Sequence, residues 1–176
     1  MKDIIKPIVV LASICLIVTA LLAYVNMVTA PIIKEAQDKE AAQARSEVLS
    51  EAKDFEKLDA DKLPEGVTEV YKGSDNSGYV FMLTQKGYGG DIKLICGIRP
   101  DGSIEAVKTL LHSETGGIGS KVVDNGSGYH DNYKGKTASD YASVDGVTGA
   151  TISSTAYKKA LGTAFEAYTI ITGGAK

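Results

Sequence analysis

A segment rich in hydroxyl groups and glycine is the chemically most informative part of the chain. Residues 145–154 read DGVTGATISS, and an apolar periodicity typical of a helix follows them. The first N–H groups of a helix lack intrahelical partners and its dipole is positive at that end, so a turn that enters a helix binds anions. Gly149 and Ala150 are small enough to let a phosphate reach the backbone. The segment predicts a phosphate site, and the alternative is an ordinary helix N-cap at residues 148–154.

The cysteines and the charge balance argue against other kinds of chemistry. Cys15 and Cys96 are the only cysteines, and they lie far apart. Neither they nor the two histidines show the spacing of zinc ligands. An iron–sulfur cluster takes about four thiolates, so we predict no metal site in this chain. The chain has 19 Lys and Arg against 22 Asp and Glu. Nucleic acid is not an expected partner, because its phosphates are bound by clustered cations.

The hydroxyl-rich segment resembles the flavinylation motif of the FMN-binding domain family, in which an aspartate precedes a Ser/Thr-Gly-Ala-Thr run. Asp145 stands at the aspartate position, and residues 148–151 form the run. In that family FMN is joined through its phosphate to the hydroxyl of the final threonine. The resemblance therefore implies a phosphoester between FMN and Thr151, made by a separate flavin transferase that uses FAD and a divalent metal.

A second segment, residues 112–119, resembles the His-x-Glu-Thr-Pro-Gly-Leu-Gly loop that lines the flavin ring in the same family. This chain has HSETGGIG there, so Gly116 stands at the usual proline position and Ile118 at the usual leucine position. The resemblance implies that Thr115 and Ile118 contact the ring and that Glu114 holds the loop.

Three further residues near these motifs have roles that the sequence leaves open. A glycine-rich turn at residues 87–91 carries Tyr88, which could stack on the ring or pack elsewhere. His112 could bond a backbone carbonyl, the role we favour, or face the flavin. Lys121 could hold its ammonium near the reduced flavin or be a solvated lysine. The candidate cofactor-binding residues are therefore Tyr88, His112, Glu114, Thr115, Gly116, Ile118, Gly119, Lys121, Asp145, Thr148, Gly149, Ala150, Thr151 and Ser154.

The first part of the chain predicts a membrane-spanning helix. Residues 7–33 contain no charged side chain, and the apolar core at residues 8–28 would span about 30 Å as a helix, the thickness of a bilayer's hydrocarbon core. A cleaved signal peptide is disfavoured, because the apolar run exceeds the usual ~7–15 residues and Pro31 follows the candidate cleavage site. Lys2 and Lys6, together with the family resemblance, favour a cytoplasmic N-terminus and an extracytoplasmic domain.

The remainder predicts an α+β fold with a mainly antiparallel sheet and flanking helices. Turns typical of hairpins separate four predicted strands, at residues 67–72, 79–85, 91–99 and 103–111. Strict alternation in the third strand predicts that it is half-buried. A final helix is predicted from Ser153. We divide the chain into an N-terminus and transmembrane helix at residues 1–33, a helical stalk or linker at 34–60, and an FMN-binding domain at 61–176.

The predicted linker has more than one possible arrangement. Residues 35–55 read as a polar helix with a narrow apolar stripe. This helix could continue the membrane helix as a stalk, with a bend at Pro31. Its stripe could instead pack on the domain, or the segment could be a solvated spacer.

These features together indicate an electron-transfer subunit with covalently bound FMN. Within that family the chain resembles the G subunits of Rnf-type ferredoxin:NAD⁺ oxidoreductases, relatives of the C subunit of the sodium-pumping NADH:quinone reductase. The resemblance implies other membrane subunits as partners and electron flow coupled to Na⁺ or H⁺ translocation. The chain has no dinucleotide-binding glycine motif, so it is not expected to be active alone. Two alternatives are a stand-alone membrane-anchored extracytoplasmic flavin reductase and a non-catalytic anchored binding module.

Overall fold

The computed structural model describes residues 2–59 and 63–173, which form an α+β protein as predicted. A long apolar helix comes first, and an antiparallel five-stranded sheet with helices follows. The elements in chain order are α1 (Lys2–Val48), β1 (Phe55–Leu58), β2 (Val67–Gly73), β3 (Tyr79–Lys86), β4 (Asp91–Ile98), β5 (Ile104–Leu111), α2 (Ser120–Val123) and α3 (Thr151–Ile171). The chain divides into two compact units, Met1–Glu40 and Ala41–Lys176. The predicted boundary between residues 60 and 61 lies outside the described residues.

The first unit is helical and apolar. Its large apolar side chains are exposed, and α1 is long and apolar enough to cross a membrane. The Ser13 hydroxyl donates to the Val9 carbonyl at 2.8 Å. The Thr29 hydroxyl donates to the Val25 carbonyl at 3.0 Å. Such bonds satisfy hydroxyl groups that a lipid environment would leave without partners. Pro31 lies inside the helix and does not end it.

The sheet is built from hairpins, and each strand pairs antiparallel with its neighbours in the order β1-β2-β3-β4-β5. The four predicted strands are present, and each end lies within one residue of its predicted position. The edge strand β1 was not predicted, because residues 35–55 read as a single helix. That helix ends at Val48, and Phe55 then pairs with Gly73 of β2.

The main hydrophobic core lies between one face of the sheet and α3. Leu94 and Cys96 of β4 are buried there against Tyr157, Leu161 and Phe165 of α3. These α3 residues recur at four-residue spacing, which places them on one side of the helix. Burial raises the pKa of the Cys96 thiol, which keeps it protonated and unreactive.

The opposite face of the sheet is covered by the end of α1. Val48 and Leu49 are buried in a second, smaller core with Val80 of β3 and Ile95 of β4. The apolar stripe of the predicted linker therefore packs on the domain. As a result β4 is buried on both faces over residues 94–98, and the prediction of a half-buried strand is wrong.

Polar contacts reinforce the packing of α1 on the sheet. Glu105 of β5 is buried and accepts hydrogen bonds from the Ser50 N–H at 3.0 Å and the Ser50 hydroxyl at 2.6 Å. Glu47 lies 2.5 Å from the Lys108 ammonium, and that hydrogen bond is the main cause of a lowered pKa for Glu47. The last turns of α1 are thus part of the fold of the second unit.

The long segment between β5 and α3 contributes its own aromatic side chains to the main core. It contains α2 and short 3₁₀ turns in place of long regular elements. The rings of Tyr129 and Tyr133 meet edge to face with centroids 5.7 Å apart, and their hydroxyls lie 3.1 Å apart. Tyr157 of α3 packs on Tyr129 with centroids 5.8 Å apart. These contacts hold the segment against the helix whose first residues it leads into.

Candidate functional site

A cavity of about 540 Å³ lies where three segments meet: the turn after β3, the loop after β5 and the N-terminus of α3. Its volume is typical of a pocket for a small molecule or cofactor. The lining residues are Tyr88, Glu114, Thr115, Ile118, Gly119, Gly149, Ala150, Thr151, Ile152 and Ser153. The walls therefore combine a carboxylate, hydroxyl groups, backbone and apolar side chains.

The N-terminus of α3 forms one wall. The helix begins at Thr151, two residues before the predicted start at Ser153. Ala150 occupies the N-cap position, and no side chain makes a capping hydrogen bond there, so the ordinary N-cap alternative does not describe this helix. The Ser154 hydroxyl instead accepts the Val147 N–H at 3.0 Å. Within the described part of the chain Thr151 is exposed and its hydroxyl makes no hydrogen bond. The first turn of α3 thus keeps N–H groups available for an anion.

Glu114 connects all three segments. Its side chain is buried, with an exposure of 8%. One carboxylate oxygen, Oε1, accepts the N–H of Tyr88 at 2.8 Å and the N–H of Gly89 at 3.2 Å. The other, Oε2, accepts the Ser153 hydroxyl at 2.7 Å. Hydrogen bonds to a carboxylate are stronger than those between neutral groups, and three donors compensate its burial.

Glycines allow the three segments to approach Glu114 closely. A side chain at Gly89 would collide with the backbone carbonyl of Ser113. A side chain at Gly87 or Gly119 would collide with the Glu114 carboxylate itself. Because that carboxylate is held by three hydrogen bonds, it cannot move aside without losing them.

The two predicted motifs and the glycine-rich turn converge on this one cavity. Eight of the predicted cofactor residues line it: Tyr88, Glu114, Thr115, Ile118, Gly119, Gly149, Ala150 and Thr151. Tyr88 is 71% exposed and Ile118 is 52% exposed, so their apolar surfaces have little cover from the protein itself.

The structure places six predicted residues outside the cavity wall: His112, Gly116, Lys121, Asp145, Thr148 and Ser154. His112 contacts the loop from outside the cavity wall. Its Nε2 lies 2.9 Å from a carboxylate oxygen of Asp124, and its Nδ1 accepts the Glu114 N–H at 3.3 Å. Lys121 is exposed on α2. Asp145 lines a separate cavity of about 380 Å³.

Two residues of the wall were not predicted. Ile152 is 55% exposed, and Ser153 is only 2% exposed. The position of Ser153, four residues before Tyr157 on the buried side of α3, is a sequence signal that could have identified a buried hydroxyl. Its partner Glu114 is distant in sequence and could not be read from that spacing.

Comparison with known proteins finds separate matches for the two ends of the chain. A protein-family model described as FMN-binding domain matches residues 87–166, which include every residue of the cavity wall. A model described as RnfG N-terminal region matches residues 1–48. The chain is 32% identical over 176 residues to the G subunit of the Na⁺-translocating ferredoxin:NAD⁺ oxidoreductase complex of Acetobacterium woodii, over 84% of this chain and 83% of that protein. The chain belongs to the family of Rnf complex G subunits.

Other members of this family match at similar levels. The G subunit of the ion-translocating oxidoreductase complex of Methanosarcina acetivorans is 32% identical over 94% of both chains. The G subunit of the proton-translocating ferredoxin:NAD⁺ oxidoreductase complex of Clostridium ljungdahlii is 28% identical over 91% of this chain and 89% of its own. Because these matches cover most of the chain, they confirm the resemblance inferred from the motifs.

Proposed function

We propose that this chain is the FMN-carrying electron-transfer subunit of an ion-translocating ferredoxin:NAD⁺ oxidoreductase complex. The FMN-binding domain match and the names of the related G subunits support this function. The observation that carries it is the exposed Thr151 hydroxyl at the start of α3, in the wall of a cavity large enough for a cofactor. FMN supplies the redox chemistry when bound, and the protein supplies its position and electrostatic environment.

The phosphate of FMN would be attached to Thr151 by a phosphoester bond to the threonine oxygen. A threonine hydroxyl is a poor nucleophile at neutral pH, so a flavin transferase would make the bond. Thr151 Oγ1 would replace AMP on the FMN phosphorus of FAD, AMP would be the leaving group, and a base on the transferase would take the hydroxyl proton. The N–H groups of the first α3 turn favour the phosphate charge. Gly149, with φ +83°, keeps the backbone before the helix free of a side chain.

The flavin ring would pack against the apolar side chains of the cavity wall. Tyr88, Ile118 and Ile152 are all at least half exposed, and together they offer an apolar surface to a flat aromatic ring. Thr115 and Glu114 add polar groups to the same wall. Because the wall comes from three segments at the protein surface, one edge of the ring would remain accessible to electron donors and acceptors.

The apolar helix α1 would anchor the protein as a single-pass membrane protein. Lys2 and Lys6 precede the apolar run and favour a cytoplasmic N-terminus, which places the FMN-binding domain on the other side. Residues 1–33 would then be the N-terminus and span. Of the predicted linker at residues 34–60, the part from Ala41 onward belongs to the same compact unit as the FMN-binding domain predicted at 61–176. The partners would be the other membrane subunits of the complex, and the relatives include both Na⁺- and proton-translocating complexes.

Mass spectrometry of the chain, matured with a flavin transferase, tests the covalent bond. We expect an added mass of one FMN less one water on wild type and on a Thr155→Ala control, since Thr155 is an exposed threonine in the next turn of α3. Thr151→Ala should carry no added mass and show no flavin fluorescence after denaturation. Retention of the modification in Thr151→Ala would exclude this acceptor.

Isolation of the native protein from membranes separates the proposed function from the alternatives. Co-purification with other membrane subunits is expected for the electron-transfer subunit of a complex. A flavinylated chain that purifies alone and reduces a soluble acceptor would instead identify a stand-alone reductase. A mature chain without flavin would instead support the third alternative, a non-catalytic anchored binding module.

A further inference from the structure

We propose that Glu114 and Ser153 form a positioning pair that presents Thr151 for flavinylation, and that the Glu114 charge then lowers the reduction potential of the attached FMN. This inference rests on the proposed function, because it concerns how the same site is loaded and tuned. Neither residue is the acceptor of the phosphate.

The pair helps to hold the first turn of α3 with Thr151 facing the solvent. Ser153 is 2% exposed, and its hydroxyl donates to Glu114 Oε2 at 2.7 Å. Successive residues of a helix are rotated by about 100°, so side chains two positions apart point in nearly opposite directions. Holding Ser153 inward therefore holds Thr151 outward, where a transferase can reach its hydroxyl. A first turn has few hydrogen bonds of its own and depends on such contacts.

The same carboxylate also sets the opposite wall of the cavity. Its other oxygen accepts the N–H groups of Tyr88 and Gly89 at 2.8 Å and 3.2 Å. Gly87 and Gly119 lie so close to the Glu114 carboxylate that a Cβ at either position would collide with it. One carboxylate therefore fixes the distance between the turn that carries Tyr88 and the helix that carries Thr151.

The charge of Glu114 has a separate consequence for the cofactor. Of the residues that line the cavity in the described part of the chain, it is the only one with a charged side chain. A negative charge that is largely buried, as in Glu114, is screened less than a charge in water, and it disfavours the addition of an electron to a nearby group. Removing the charge while keeping the hydrogen bonds should therefore raise the potential.

Four variants of the full-length chain separate positioning from charge. Glu114→Gln keeps an acceptor for the Tyr88 and Gly89 N–H groups and offers an NH₂ to the Ser153 oxygen, but it has no charge. Glu114→Ala and Ser153→Ala remove the bond from either side. Glu166→Gln, at an exposed position of α3, is the control for a change of charge. The measurements are the initial rate of flavinylation by a purified transferase with FAD and Mg²⁺, the midpoint potential of the loaded protein, and the thermal unfolding midpoint.

We expect Glu114→Ala and Ser153→Ala to slow flavinylation about tenfold or more, because a hydrogen bond to a charged group is lost. Glu114→Gln should load within about twofold of wild type and have a higher midpoint potential. Glu166→Gln should match wild type in both. The unfolding midpoint identifies any variant that has lost its fold. If Glu114→Ala does not fold, Ser153→Ala tests the positioning role of the pair, because this substitution removes only one oxygen atom.

Wild-type loading in a folded Ser153→Ala would overturn the positioning role, as would equal slowing in Glu114→Gln and Glu114→Ala. An unchanged potential in Glu114→Gln would overturn the role of the charge. Failure of wild type itself to acquire covalent FMN would be a different result, since it would overturn the proposed function.

Discussion

At the scale of residues, neighbouring hydroxyls at the start of α3 have different environments. Thr151 is exposed, whereas Ser153 and Ser154 are 2% and 3% exposed. Each buried hydroxyl has a partner: Ser153 donates to Glu114, and Ser154 accepts the Val147 N–H. The choice of Thr151 as the proposed acceptor of a phosphate therefore follows from the orientation of the helix, since the three side chains have the same kind of chemistry.

The glycine turn after β3 offers a test at this scale. We expect Gly89→Ala to lower the free energy of unfolding by about 1–3 kcal/mol, because the new methyl group would meet the rigid backbone carbonyl of Ser113. Denaturant unfolding of the domain measures the effect. Gly116→Ala is the matched control, since an added Cβ there has nothing within 4 Å. Equal stability of the two variants would contradict the close approach at Gly89.

At the scale of elements, the turn between β4 and β5 depends on a carboxylate. Asp101 accepts the Ser103 N–H at 2.9 Å and the Ser103 hydroxyl at 2.6 Å. The side-chain hydrogen bond, followed by the backbone one, lowers the pKa of Asp101. Gly102, with φ +80°, supplies the left-handed conformation of the same turn.

We expect this turn to contribute to the loss of domain stability at acidic pH. Because the folded pKa of Asp101 is lowered, its contribution to stability is present above the unfolded pKa of about 3.9 and is lost as pH falls through the folded value. We expect the stability of Asp101→Asn to depend less on pH than that of wild type between about pH 5 and pH 2. Urea unfolding across that range measures it, with Glu166→Gln as the exposed control. Parallel curves for wild type and Asp101→Asn would refute the contribution.

At the scale of the whole molecule, α1 contributes residues both to the apolar helical unit and to the domain. Residues of α1 up to Glu40 belong to the first compact unit, and Ala41 onward belong to the second. Val48 and Leu49 are almost completely buried, with exposures of 1% and 0%. A soluble form of the domain must therefore retain the end of α1.

Truncation tests this assignment. A chain that begins at residue 34 should fold with a thermal midpoint close to that of the full-length protein. A chain that begins at residue 53 should be much less stable, because it loses Val48 and Leu49 and exposes Val80 and Ile95; burial of each such side chain contributes about 1.5–3 kcal/mol. Thermal unfolding followed by circular dichroism compares them. Similar midpoints would show that the second core is dispensable.

The sequence by itself determined the features that depend on local chemistry. An uncharged run long enough to cross a bilayer identifies the apolar helix, since hydrocarbon admits few charges. Alternation and hairpin turns located the four predicted strands, and the two motifs identified the segments that form the cavity. These features follow from spacing within a few residues, which side-chain direction along a strand or helix makes readable.

Only the tertiary structure decided which groups meet. Periodicity reports one buried face of β4, and the apolar stripe of residues 35–55 did not show which surface it would cover. The contact of α1 with the second face of β4 was therefore not readable. The bond between Glu114 and Ser153 joins residues 39 positions apart and depends on three segments arriving together. Such contacts arise from packing between distant parts of the chain, for which local residue spacing carries no signal.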